Sequence, residues 1–395
     1  MKEVVIDVET ENCTDPEMAY GGSSPFVRDN MSFIVAAGWM DEIGPATSYY
    51  KDECFSVRDN IISFLDKYDT LVGHNIKFDL IHIRQCVGED EWHKWVSNGG
   101  CCFDTQYAEY LLSAQTHKFS SLDELTIKYR GEEFIKDHEI KEHWAGGGLT
   151  SAVPKEKLLA YLRGDIDNTQ VVYNAQKERL TTADLWTNMS VGCNAIMALV
   201  EIETNGMRMD VEKGGETRDA IKSQVDILHD DLIRQAEALQ EKDLKEFSPD
   251  SSQKIGAVLF GGEISYKTRG PAHEPDHKLY RIKSGPNKGQ IREKNLEGIV
   301  KCKKLTNHPT KKSTSTDVNV MEKIVNAGGP CSSFCADILE YRGLAKEFST
   351  YLDNYIHNAE INGGYLHGEL NSSATVTGRL SGSKPNIQNI TRKET

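Results

Sequence analysis

The chain contains no run of roughly 18 apolar residues, the length a helix needs to cross a bilayer, so no membrane span is expected. Its opening residues, MKEVVIDVETE, turn acidic before an apolar stretch can develop, so no secretory signal is expected either. Paired cysteines are missing as well. The nine cysteines are odd in number and include no Cys-x-x-Cys, and Cys331 with Cys335 has no neighbouring Cys/His pair to complete a zinc set. Buried free thiols in a reduced, cytoplasmic chain are the simplest reading. Excess positive charge is lacking too: the formal net charge is −14, which argues against a general nucleic-acid-coating protein. The basic residues are instead concentrated, with 13 Lys/Arg against 5 Asp/Glu between Glu263 and Lys312. Such a segment on an acidic body suits localised phosphate contact, or a solvated loop. No internal repeat is visible.

What is present suits a globular protein of two or three domains, with 395 residues, 38% hydrophobic and 27% charged. Val4, Val5 and Ile6 form a β-branched run, and 33–37 and 47–51 are further strand candidates. Thr70, Leu71 and Val72 form a short strand ending at Gly73, after which 76–87 has helical periodicity through Phe78, Leu80, Ile81, Ile83 and Val87. Residues 145–149 hold three glycines and read as a loop, and Pro154 opens a helix over 155–179. Strands followed by alternating strand and helix predict a mixed-sheet α/β domain over 1–187.

From 188 the pattern turns helical. Asp210 can cap a helix to about residue 242, whose Ile221, Val225, Leu228, Leu232, Ala236 and Leu239 make one apolar stripe. Ser251 or Ser252 caps a short helix ending at Gly261 and Gly262. Residues 263–312, rich in Gly, Pro, Lys and Arg, read as an irregular or hairpin-rich insertion. Helices are expected from Thr316 or Asp317 and over 333–356, with strand-and-loop composition over 364–395.

The acidic residues carry the chemistry. Asp7 and Glu9 lie on one face of the first strand, about 7 Å apart along it. Two such carboxylates repel, and Mg²⁺ or Mn²⁺, which prefer oxygen ligands, relieve the repulsion. Asp79 falls on the first turn of the 76–87 helix, where the helix dipole favours negative charge. Tyr161 and Asp165, four apart on a helix, share a face, whereas Asp167 does not. Taken singly, these are also what strand-end and helix-start acids look like.

In this order, the segments around Asp7/Glu9, Asn75–Asp79 and Tyr161–Asp165 resemble the three motifs of the DEDD exonuclease superfamily, in its tyrosine-bearing branch. The resemblance implies a ribonuclease-H-like exonuclease fold over 1–187, a mixed five-stranded sheet with helices. It also implies hydrolysis supported by two divalent metal ions. Asp7 would bridge them, Glu9 and Asp165 would hold the ion that activates water, and Asp79 would support the other through water. Tyr161 would orient the attacking water. Asn75, Phe78, Thr10 and His74 would contact the single-stranded 3′ terminus, although a structural role suits His74 better. Asp104, in Phe103-Asp104-Thr105, resembles a recurring structural acid of that family.

The second half carries a different likeness. Thr375-Val376-Thr377-Gly378-Arg379-Leu380-Ser381 and Pro385-Asn386-Ile387-Gln388-Asn389-Ile390 resemble the palm-entry segment of family A DNA polymerases. Tyr341-Arg342-Gly343-Leu344-Ala345-Lys346 with Ser349-Thr350-Tyr351 resembles their thumb, and the segment over 202–210 resembles the approach to the thumb's long helix. This implies a mostly α-helical thumb over 188–358, carrying the 263–312 insertion, and an incomplete palm over 359–395. Arg342 and Lys346 would hold phosphates. Arg379, Asn386, Gln388 and Asn389 would meet minor-groove acceptors of a primer–template duplex.

The family's palm aspartates and fingers are not found, so no polymerase activity is expected from the chain alone. A proofreading subunit of a split polymerase is expected, with a second chain bearing palm and fingers, as in some bacteriophages. An artificially shortened polymerase, a non-catalytic DNA-clamping or assembly subunit and an RNA-trimming exonuclease are the alternatives. The 263–312 segment is either a processivity or partner-binding element or a plain loop.

Overall fold

A computed structural model of the chain describes residues 2–11, 33–41, 43–51, 56–130, 138–271, 282, 290–291, 293–309 and 314–389. Cys13, Cys54, Ile390 and the middle of the 263–312 insertion lie outside the described residues. The packing divides into two compact units, Met1–Val211 with Tyr355–Thr395, and Glu212–Asn354.

The first unit is built on a five-stranded sheet. Strands β1 (Glu3–Thr10), β2 (Ile34–Asp41) and β3 (Gly44–Tyr49) form an antiparallel meander. Helix α1 (Val57–Leu65), capped by the Ser56 hydroxyl accepting from the Asp59 N–H, leads to β4 (Thr70–Gly73). Helices α2 (Lys77–Val87) and α3 (Glu89–Ser97) follow, then β5 (Cys101–Asp104). The strand order is β3-β2-β1-β4-β5, with β1–β4 and β4–β5 parallel. Val4, Val5 and Ile6 are all buried, as a strand covered on both faces requires. Alternation appears only beyond them, where Asp7 and Glu9 become half-exposed around buried Val8.

Helices α4 (Thr105–Leu112), α5 (Leu122–Arg130), α6 (His138–Ala145), α7 (Lys155–Thr182) and α8 (Trp186–Asn205) complete this part, followed by the short strand β6 (Met207–Arg208). α7 crosses β2 and β1. Gly38, the ladder partner of Asp7, makes that crossing possible: a Cβ there would collide with Ile166 Cδ1 and come 2.9 Å from Leu162 Cγ. One missing side chain therefore lets the helix bearing Asp165 approach the strand bearing Asp7.

The second unit contains α9 (Val211–Gln240) from Glu212 onward, α10 (Ser252–Phe260), α11 (Val318–Ala327) and α12 (Ser332–Lys346). Its core gathers Leu232, Ala236, Val258, Leu259, Met321, Phe334 and Ile338, with Val225, Leu228 and Leu239 of the expected α9 stripe packed against it. Ser251 and Asp317 cap α10 and α11 through their side chains. The described parts of the basic insertion form an antiparallel hairpin, β7 (Gly262–Pro271) with β8 (Glu293–Cys302), the hairpin-rich form of the sequence expectation. The Gln240 amide donates to Val258 O and Lys303 O and accepts from the Lys303 N–H, which fixes the exit of β8.

The single helix expected over 333–356 is instead interrupted by a π-helical stretch, Glu347–Leu352, before α13 (Asp353–Ile361). An extra residue per turn is invisible to a 3.6-residue pattern. In the first unit, β9 (Tyr365–Leu366) pairs with β6, and β10 (Glu369–Asn371) pairs with β11 (Ser381–Ser383). The compact units cut across the three-part division read from the sequence, because α8 and residues 355–395 pack with the sheet domain. Among the described residues, no helix is long and apolar enough to cross a membrane.

Candidate active site

Strand β1 delivers Asp7 and Glu9 to one face, and α7 delivers Asp165. One carboxylate oxygen from each lies within 4.8 Å of the others. Three hard oxygen donors without Cys or His fit Mg²⁺ or Mn²⁺ better than a thiophilic metal, so the donor set suits the divalent cations expected there.

Asp79 stands beside this triad rather than in it. The β1–β4 ladder ends at Val5, and three residues on the Val8 N–H donates to Asp79 Oδ1 at 3.1 Å. Asp79 thus braces the backbone between Asp7 and Glu9. Burial pushes its carboxyl well above the usual range, and the charge of Asp104 adds to that.

Tyr161 lies one turn before Asp165. Trp144 meets its ring edge-on, with centroids 5.5 Å apart and planes at 89°. Burial first, then the charges of Asp165, Glu9 and Asp7, push the phenol far above its ordinary range. It therefore stays protonated and able to donate a hydrogen bond.

The Asn75 turn is held by Asp104. Asn75 adopts left-handed φ of 54° and donates its N–H to Asp104 Oδ1 at 3.1 Å, while the same oxygen caps α4 by accepting from Gln106 and Tyr107. This agrees with the structural role expected of that acid. Burial raises the Asp104 carboxyl to about 6, opposed by those N–H groups. A folded value above the unfolded one, about 3.9, means that Asp104 contributes fully below pH ~4 and loses contribution as pH rises through ~6. Asp104→Asn, which keeps the accepting oxygen, is expected to gain roughly 2–3 kcal/mol relative to wild type between pH 4 and 7.5. Asp104→Ala, which loses the cap, should cost about 1–2 kcal/mol at pH 4 and, having shed the same titration, should improve by a similar amount to Asn relative to wild type by pH 7.5. Urea unfolding at the two pH values measures both; an Asn variant parallel to wild type would contradict the first.

His74 Nδ1 lies 3.0 Å from Thr105 Oγ1, a structural pairing. Thr10 is buried, whereas Phe78 is 36% exposed and meets the His82 ring in a tilted pair with centroids 4.3 Å apart. Among the residues expected at duplex DNA, Arg379 and Gln388 are exposed. Asn386 Oδ1 accepts from the Gln388 N–H, and Asn386 O accepts from the Tyr355 hydroxyl at 2.6 Å; the Asn389 side chain lies outside the description. In the second unit, Lys346 ends α12 with its side chain exposed. Arg342 differs from expectation. Its guanidinium donates to Thr316 O, to Thr316 Oγ1 at 2.9 Å and to Ser252 Oγ at 3.2 Å, so it ties α12 to the starts of α10 and α11.

Several contacts that hold the fold around the site had no sequence signal. Lys77 Nζ pairs with Glu203 Oε1 at 2.5 Å and donates to Leu370 O at 2.8 Å, across 126 and 293 positions. The Leu370 N–H donates to the same Glu203 oxygen at 2.7 Å. The Tyr110 hydroxyl donates to Thr375 O at 2.7 Å. These bonds hold the segment after α13 against α2, α4 and α8.

Comparison with known proteins places the same residues in a family context. The family described as DNA polymerase family A matches residues 272–395. DNA polymerase I of Treponema pallidum is 29% identical over 336 residues, 84% of this chain and 27% of that one. DNA polymerase I of Bacillus subtilis is 24% identical over 326 residues, 78% of this chain and 31% of that one. The thermostable DNA polymerase I of Thermus aquaticus is 51% identical over 53 residues, 13% of this chain and 6% of that one. The chain thus spans less than a third of the length of these curated relatives. Among solved structures, the POL domain of Pol1 from M. smegmatis, in complex with DNA primer-template and dNTP, aligns with a TM-score of 0.63 over 99% of this chain and 53% of that one. At 16% identity that likeness concerns the fold. The protein is related to the family A DNA polymerases over most of its length.

Proposed function

We propose that the first unit is a 3′→5′ exonuclease and that the chain carries the proofreading and primer–template-clamping part of a family A DNA polymerase. The observation that carries this reading is the convergence of Asp7, Glu9 and Asp165, with Tyr161 one turn before Asp165 on α7. Asp7, Glu9 and Asp165 would hold the divalent cations, with Asp79 bracing the strand between the first two. Cations bound there supply Lewis-acid polarisation of a phosphodiester and a lowered pKa for bound water. The Tyr161 phenol donates a hydrogen bond to the attacking water and fixes its direction. The 3′ nucleotide must leave any duplex to reach these groups, a cost lowest for an unpaired or mismatched terminus, which is the selectivity proofreading needs. The exposed Arg379 and Gln388 and the basic β7–β8 hairpin supply sequence-independent contacts to duplex and phosphate.

The test uses the chain alone, a 5′-labelled single-stranded DNA oligomer and its RNA counterpart. With Mg²⁺ or Mn²⁺ the DNA is expected to shorten stepwise from its 3′ end, faster than the RNA, and chelation should stop it. Intact DNA under both metals would eliminate the exonuclease reading, and preference for RNA would favour a trimming enzyme.

A further inference from the structure

We propose that Glu11, Thr150 and Trp144 form a brace that aims the Tyr161 phenol, making Glu11 and Trp144 positioning residues for the hydrolysis proposed above, on which this inference rests.

Tyr161 sits near the start of α7, whose N-terminus follows Pro154 without a side-chain cap. Something else must therefore fix the chain that enters the helix. Glu11 does so. It is 3% exposed, and its carboxylate accepts from the Thr150 N–H at 2.7 Å and the Ser151 N–H at 3.1 Å. Burying a carboxylate is unfavourable unless charge-assisted bonds offset it, and two backbone donors do so here. Thr150, buried in turn, accepts from Trp144 Nε1 through Oγ1 at 3.1 Å. His143 Nε2 lies 2.9 Å from Leu149 O and closes the other side of the loop. The Trp144 ring then meets Tyr161 edge-on, the arrangement the ring quadrupoles favour.

The line of contacts begins where the acids do. Glu11 follows Glu9 by two residues, and its own N–H still donates across to Phe33 O at 2.8 Å. One strand thereby presents Asp7 and Glu9 and anchors the loop whose tryptophan restricts rotation of the tyrosine ring. Plain core packing would not need the hydrogen-bonded sequence from Glu11 through Thr150 to the indole nitrogen.

The full chain is assayed on single-stranded DNA as Trp144→Ala, Trp144→Phe, Glu11→Gln, Tyr161→Phe and the Trp144→Ala/Tyr161→Phe double variant. Trp144→Ala is expected to lower kcat about 10-fold, the range typical of residues supporting a catalytic group, with KM within about 2-fold. Trp144→Phe, which restores a ring but no N–H, should recover part of the loss. Glu11→Gln should fall between Trp144→Phe and Trp144→Ala. In the Tyr161→Phe background, Trp144→Ala should change kcat by less than about 2-fold, because two groups acting as one unit are not additive. Mn²⁺ affinity, read from the cation-dependent rise in melting temperature, should match wild type in Trp144→Ala.

Equal losses from Trp144→Ala in both backgrounds, or unchanged kcat in Trp144→Ala and Glu11→Gln, would overturn the brace while leaving the exonuclease reading intact. If Trp144→Ala does not fold, Trp144→Phe and Glu11→Gln carry the same comparison. A wild-type chain without nuclease activity overturns the parent reading, and the brace with it.

Discussion

Asp7→Asn is expected to lower exonuclease kcat on the order of 10³-fold, about 4 kcal/mol of transition-state stabilisation, while leaving the metal-free protein as stable as wild type or more so. The two halves of this expectation share one cause. Without cations, the oxygens of Asp7, Glu9 and Asp165 crowd within 4.8 Å, and like charges at that separation oppose folding. Asparagine keeps the shape, and the ladder pairing of residue 7 with Gly38 is made by backbone, so the fold loses little and sheds a repulsion. The same substitution removes a cation ligand from the centre of the triad. In wild type, Mn²⁺ at 100 times its dissociation constant should stabilise by about 2.7 kcal/mol, and in Asp7→Asn most of that rise should vanish. Melting curves with and without Mn²⁺, alongside cleavage of single-stranded DNA, read both effects. Wild-type cleavage by the variant would remove Asp7 from the chemistry, and a large metal-free destabilisation would mean that the carboxylate is structural.

The parts of this site that were legible in the sequence are those set by local periodicity. Asp7 and Glu9 share a face because a strand repeats every two residues, and Tyr161 and Asp165 share one because a helix repeats nearly every four. The caps Ser251 and Asp317 and the α9 stripe were readable for the same reason. Asp79 was placed correctly on the first turn of α2, yet periodicity could not say that its carboxyl would turn onto the Val8 N–H. Arg342 matched a thumb-like segment, but its donors meet Thr316 and Ser252, chosen by tertiary packing. Glu11, Trp144, Lys77 and Glu203 carried no local signal, since what defines them is a partner many residues away. The π-helical stretch at Glu347–Leu352 was missed because it changes the period itself.

Lys77→Met should destabilise the first unit by about 3–5 kcal/mol near pH 8, the usual result of removing one partner from a buried ion pair. Lys77 and Glu203 side chains are only 14% and 3% exposed, so water cannot replace the lost ammonium. Glu203 would keep the Leu370 N–H, and Leu370 O would lose its Lys77 donor. Burial already raises the Glu203 carboxyl, with Lys77 the chief opposing influence, and removing Lys77 raises it further. A folded value above the unfolded one, about 4.3, means that protonation favours the fold. The variant should therefore be closest to wild type below pH ~4 and fall away as pH rises through the raised folded value. Lys77→Met/Glu203→Gln, which removes both charges and keeps an acceptor for Leu370, should recover a large part of the loss. Urea unfolding followed by the fluorescence of Trp92 and Trp95, both buried in this unit, measures each step. A Lys77→Met chain within about 1 kcal/mol of wild type at pH 8 would place Glu203 among surface acids, and the contacts anchoring Leu370 to α2 and α8 would then be incidental to stability.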